Sequence, residues 1–143
     1  MDRMIAETIA RLQGNALSLT SVKPLEELDA LSRGTAPASG AAFVLPYRER
    51  GEPNPYSTGM FRQVVHVQFL IVFILRKHDD ASGGKKLLNY DLLKDEIEAA
   101  IAGWEPTENS EPCELVSAQA TPLGNGVTAY VQTWQTTRLI TGA

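Results

Sequence analysis

The segment from Phe61 to Arg76 constrains the fold more than any other part of the sequence. Val65, Val67, Phe69, Ile71, Phe73 and Leu75 fall on one face of a two-residue alternation, with Arg62, His66, Gln68 and Arg76 on the other, the pattern of a β-strand with one apolar side. Leu70, Val72 and Ile74 occupy the second face further along, so the far half of the strand is apolar on both sides. Such a strand has to be covered on both sides. One layer of helices cannot do that. The second cover comes either from a folded-back segment of the same chain or from a neighbouring subunit, and the sequence leaves both open.

Before this strand, Ile5, Ile9 and Leu12 recur at helical spacing behind Asp2, with Gly14-Asn15 as a stop, which predicts an amphipathic helix over about residues 2–13. A short β-like stretch follows around Leu17-Ser18-Leu19. Pro24 then opens a brief helix in which Leu25, Leu28 and Leu31 share a face before Gly34. Ala42-Phe43-Val44-Leu45 reads as a strand that Pro46 ends or places on an edge. From Arg48 to Gly59 the chain holds arginines, glutamates, prolines, glycines and Tyr56, the composition of an exposed connection, and a connection of that length is usually functional or mobile.

After the long strand, the polar run from His78 to Gly84 is a turn, and Leu88, Leu92, Ile97, Ile101 and Trp104 lay out an apolar helical stripe closed by Gly103 and Pro106. Glu114 to Ala118 and Val127 to Trp134 read as two antiparallel strands joined across Gly124-Asn125-Gly126, with Thr121-Pro122-Leu123 lengthening the connection. No internal repeat or linker divides the 143 residues. The expectation is an α+β chain forming one domain over 1–143, with a mostly antiparallel sheet of about four to five strands and two main helices on one face.

Composition excludes several classes. An apolar fraction of 43% with moderate charge is that of an ordinary globular protein. The opening residues lack the apolar core of a secretory signal, and the run from Phe69 to Leu75 is far too short to span a membrane. A net charge of −4 argues against a broad grip on nucleic-acid phosphates. Cys113 stands alone, without a disulfide partner or a flanking basic residue to activate it, and reads as a small apolar strand residue.

No catalytic or metal constellation emerges. His78-Asp79-Asp80 carries ligand-type side chains, but consecutive residues seldom converge on one ion, and a helix-capping turn explains them. Gly83-Gly84-Lys85-Lys86 lacks the first glycine and the hydroxyl residue of a phosphate loop. His66 has no ligand partner at suitable spacing. No cofactor or metal is expected.

Charge placement says more. Between Asp91 and Glu114 stand eight acids and one lysine, while Lys85 and Lys86 open the same helix. That order opposes the helix macrodipole, so helix stability did not select it. Asp95, Glu96 and Glu98 are therefore expected to face a basic partner surface or a channel, an ordinary solvated face being the plainer alternative.

The order and spacing of several short pieces resemble the tail terminator family of tailed phages and Mu-like prophages. The likeness spans Met4 to about Leu139. It is carried by Ile5-Ala6-Glu7-Thr8-Ile9-Ala10-Arg11-Leu12, Ala42-Phe43-Val44-Leu45-Pro46 with Arg50-Gly51, Thr58-Gly59-Met60-Phe61 and Val72-Phe73-Ile74-Leu75-Arg76. It continues through Asp80-Ala81-Ser82-Gly83, Ala102-Gly103-Trp104-Glu105-Pro106 and Ala129-Tyr130-Val131-Gln132. The more polar ending, Thr133 to Arg138, departs from the family impression.

The resemblance implies a structural, non-enzymatic virion protein, assembled in the host cytoplasm, that closes a homo-hexameric ring at the head-proximal end of the tail. Such a ring stops tube growth and docks the tail to the neck. Implied partners are copies of itself, the tail tube protein, neck and connector proteins and the sheath, with DNA passing through the lumen without specific binding and no membrane involved. Candidate subunit, tail or neck contacts are Arg48, Glu49, Arg50, Tyr56 and Phe61, then Leu70, Val72 and Ile74 on the doubly apolar strand, and Asp95, Glu96 and Glu98. The competing readings are another neck or tail-completion protein and a small ligand-binding or catalytic α+β domain built on the His78–Asp80 turn.

Overall fold

The computed structural model describes residues 2–33, 37–56, 60–76 and 84–142, with Asp2 and 84–88 described through the backbone alone. In chain order the elements are α1 (Asp2–Asn15), β1 (Ser21–Pro24), a 3-10 turn (Leu28–Ser32), β2 (Ala41–Gly51), β3 (Arg62–Arg76), α2 (Gly84–Ile101), β4 (Glu114–Gly124) and β5 (Val127–Thr141). They build the expected α+β architecture around a five-stranded sheet of order β1-β2-β3-β5-β4. β1 runs parallel to β2, and every other pairing is antiparallel.

β3 sits at the centre because its sequence demands cover on both faces. On one face Val65, Val67, Phe69, Ile71, Phe73 and Leu75 join Met4, Ile5 and Leu12 of α1 and Leu93, Ile97 and Ile101 of α2 in one core. On the other, Leu70, Val72 and Ile74 pack with Leu31, Leu45 and Val131, with Leu25, Leu28 and Phe43 at the margin. The second cover is thus a folded-back segment of the same chain.

Several local expectations are corrected. Residues Leu17 to Leu19 form a turn rather than a strand, with Leu17 exposed and the Ser18 amide donating to Glu96 Oε1 at 2.9 Å. Pro24 ends β1 instead of opening a helix, because the next amide, Leu25 N–H, donates to Val44 O at 3.1 Å and prolongs the pairing. What remains of the anticipated helix is the 3-10 turn, although its leucines still share one destination. Pro46 does not stop β2. β1 pairs only as far as Val44, so Pro46 lies on an open edge where its missing N–H costs nothing, and a bulge between Pro46 and Arg48 absorbs it. Arg48 to Gly51, expected as loop, are therefore strand.

The α2 stripe holds at Ile97 and Ile101, but Leu93 takes the place expected for Leu92. Leu93, Ile97, Ala100 and Ile101 are buried, whereas Leu92 is exposed. Gly103, at φ +79, ends the helix, after which Cys113 N–H donates to Trp104 O at 2.8 Å. Arg11 Nε donates to Ala100 O at 2.9 Å and its guanidinium lies over Trp104, so the negative end of α2 is met by a cation from α1. The β4–β5 connection is shorter than expected. Gly124 pairs with Val127 across a two-residue turn, Asn125 (φ 55) and Gly126 (φ 77), both in the left-handed region that such turns require.

Candidate functional site

Three strands run on past the rest of the sheet. β1 leaves β2 at Val44, and β4 first pairs with β5 at Gln135, so Pro46–Gly51, Arg62–Gln68 and Thr136–Thr141 continue as a tongue whose two outer strands have no further strand partner among the described residues. Thr136 and Thr137, both buried, hold the segment that approaches β4: Glu111 N–H donates to Thr137 Oγ1 at 2.9 Å, and Thr136 Oγ1 donates to Glu111 O at 2.5 Å.

The tongue is tied by discrete polar bonds on both faces. On the helix side, Arg138 clamps Glu49 with two parallel bonds, Nε to Oε1 at 2.8 Å and Nη2 to Oε2 at 3.0 Å, crossing β3 between the rungs of Val65 and Val67. The bond to Arg138 holds the Glu49 carboxyl below its usual value, against a smaller opposing effect of burial, and the same bond raises Arg138. On the opposite face, Arg48, Gln68 and Gln135 stand on one rung. Arg48 Nε donates to Gln68 Oε1 at 2.8 Å, and Gln68 Nε2 donates to Gln135 Oε1 at 2.9 Å. One rung further, His66 Nε2 meets Glu52 Oε1 at 2.7 Å, while its buried Nδ1 has no hydrogen-bond partner among the described residues.

The tip is equally built. Asn54 Oδ1 accepts from Arg62 N–H at 3.2 Å, its Nδ2 donates to Tyr56 O at 3.1 Å, and Gln63 Nε2 donates to Glu52 O at 2.8 Å. These bonds hold an apolar end in water: Tyr56 is 45% exposed, Met60 58%, Phe61 41% and Ile140 36%. Gly142 lies so close that a Cβ there would sit 2.9 Å from the Phe61 side chain. Among the described residues no carboxylate pairs with Arg48, Arg50 or Arg62, so these three cations are left over on the tongue.

The candidate residues fall into three groups. Arg48, Glu49, Arg50, Tyr56 and Phe61 come together on the tongue. Leu70, Val72 and Ile74 are only 8%, 0% and 0% exposed inside the second core, so as the chain is folded none of them presents a face to a neighbour. Asp95, Glu96 and Glu98 lie on α2, where Glu96 is already engaged by Ser18 and Asp95 is exposed. Sequence reasoning missed Gln68, Gln135, Arg138, Asn54 and Met60 as parts of this surface. For Gln135 and Arg138 the polar ending from Thr133 to Arg138 was the visible signal, since a strand that alternates threonine, glutamine and arginine next to an apolar partner has to satisfy those groups somewhere.

A second feature lies at the base of the tongue. An open groove of about 640 Å³ runs between α1 and the end of β1, lined by Ala6, Ile9, Pro24, Leu25 and Pro46, with Glu26 as its charged side chain. Among the described residues no three His, Cys, Asp or Glu side chains gather as a metal site. Cys113 is buried, and burial pushes its thiol up to about 11. The His78-Asp79-Asp80 turn, Gly83 and Thr58-Gly59 lie outside the described residues. No described helix is long and apolar enough to cross a membrane.

Comparison with curated proteins finds no match to this chain. A family model, phage tail terminator protein, matches residues 4–142.

Proposed function

The chain belongs to the phage tail terminator family, whose members are structural parts of the viral tail that associate with other tail components, and from that membership we propose that it closes a homo-hexameric ring at the head-proximal end of the tail. In that position it ends growth of the tail tube and presents a docking face to the neck and connector, with DNA threading the lumen, and it carries out no catalysis. The observation that supports this reading beyond membership is the tongue: a hydrogen-bonded, three-stranded projection with open edges and an aromatic tip. A closed ring needs two unlike surfaces on each subunit. A hydrogen-bonded projection is one such surface, and because its strands are already paired they lose little conformational entropy on contact.

Negative-stain microscopy of the purified protein, alone and mixed with its tube protein, tests the proposal. Rings, or tubes of defined length capped at one end, are the expected outcome. A monodisperse monomer that neither forms rings nor caps tubes sinks it.

The acids of α2 fit a lumen lining, where carboxylates keep the phosphate backbone from sticking. Asp95 and Glu98 carry neither an ion pair nor a side-chain hydrogen bond among the described residues, whereas Glu96 accepts the Ser18 amide. Reversing Asp95 and Glu98 to lysine is therefore expected to leave folding within about 0.5 kcal/mol of the parent, while tails carrying the variant retain DNA in the lumen or eject it slowly. Unchanged ejection removes the lumen assignment.

A further inference from the structure

The apolar tip and the apolar groove are the two unlike surfaces that a head-to-tail contact needs, and one chain cannot join its own. The groove reaches Pro46, and β2 climbs from Pro46 to Gly51 before the tip loop begins, so at roughly 3.4 Å per residue the tip stands on the order of 17 Å away. Charge complements shape. Arg50 and Arg62 flank the tip without carboxylate partners among the described residues, and Glu26, the charged side chain of the groove, has no cation partner there either. Its neighbour Glu27 is already taken by Arg33.

We infer that the tip of the tongue, Met60 and Phe61 foremost, seats in the α1–β1 groove of a second copy of this chain, with Arg50 and Arg62 turned toward that copy's Glu26. The inference deepens the ring reading and rests on it. It fixes the direction of the contact: tip of one subunit into base of the next, a heterologous interface that either closes or propagates. The apolar centre supplies the affinity and the charged rim selects register.

Cysteine pairing decides it. Ala6 in the groove and Met60 at the tip are both exposed, and the native Cys113 is buried with its thiol raised, so it stays out of exchange. Chains carrying Ala6→Cys are mixed with chains carrying Met60→Cys and oxidised, both in concentrated solution and on tail tubes. The expected product is the mixed Ala6→Cys/Met60→Cys disulfide dimer, with each variant alone at background, and a chain bearing both changes gives a covalent ladder. Met60→Asp is expected to weaken self-association about tenfold or more. Glu26→Arg weakens it about two- to fivefold, and combining it with Arg50→Glu and Arg62→Glu restores the parent value. Circular dichroism checks that each variant folds, and should Met60→Asp unfold, the cysteine pair still decides. Rings that form without the mixed disulfide overturn this contact and leave the ring reading standing. A chain that stays monomeric in solution and on tubes overturns the ring reading, and the contact with it.

Discussion

The base of β3 and its extension into the tongue are parts of one strand with opposite strategies. From Phe69 to Leu75 every residue is buried, and both faces are filled by the chain's own apolar side chains. From Arg62 to Gln68 only Val65 and Val67 hold an apolar face, and the rest is kept in place by the Arg48–Gln68–Gln135 row, the His66–Glu52 contact and the Glu49–Arg138 clamp. The base has spent its surface on folding and has none to offer. The tongue is ordered by directional bonds, which leaves its aromatic tip and the side chains of Arg50 and Arg62 available to meet something else. Order and availability coexist there because hydrogen bonds fix geometry without requiring that both faces be covered.

Truncations at the base are expected to cost the most. Phe73→Ala, opening a cavity under α2, is expected to cost about 3–5 kcal/mol and Leu31→Ala about 2–5 kcal/mol in denaturant unfolding. The second value tests the assignment of the cover. A loss under about 1 kcal/mol for Leu31→Ala means that something other than the 3-10 turn closes the second core, and Leu70, Val72 and Ile74 return as contact candidates.

How much of this was legible in the sequence follows from the same division. β3 and both of its apolar faces could be read directly, because a two-residue period over that length has few alternative explanations. The continuation of β2 through Arg48 to Gly51 could not be read: proline, charge and glycine are the marks of a loop, and they are equally the marks of a strand on an open edge. Only the partner strand decides between them, and partners are set by tertiary structure. The opposing macrodipole of α2 looked like a signal for an external partner. Part of its answer was internal, in Arg11 reaching Ala100 from another helix. The tip was half legible, since Tyr56 and Phe61 stood out by type, while Asn54, Gln63 and Ile140, which hold or extend it, are ordinary residues until the register brings them together.

A smaller effect sharpens the contrast from the tongue side. Gln68 relays Arg48 to Gln135, so Gln68→Ala leaves the half-buried Gln135 and the exposed Arg48 without their bonds, at an expected cost of about 0.5–1.5 kcal/mol. Hydrogen exchange locates the loss. Amides of Arg62 to Gln68 and Gln135 to Thr141 should lose protection, while those of Phe69 to Leu75 keep theirs up to the global unfolding limit. Uniform loss across β3 would mean that base and tongue unfold as one unit and that the division drawn here has no energetic counterpart.

The smallest effect is electrostatic and depends on pH. Glu49 titrates below its ordinary value of 4.5 because the bond to Arg138 favours the carboxylate. A group whose folded value is depressed stabilises the fold above its unfolded value, and that contribution disappears as pH falls through the folded one. The clamp should therefore contribute fully at neutral pH, begin to fail near 4.5 and be gone below the folded value. With both side chains about one-third exposed, its worth is at most about 1 kcal/mol. Arg138→Ala should lower stability by that amount at pH 7 and by progressively less as the pH falls below 4.5, and the difference between the two chains should shrink in high salt. An Arg138→Ala penalty that does not shrink at any pH below 4.5 would assign the clamp's role to the packing of the arginine stem over β3, and the tongue would then be held on that face by burial, as the base is.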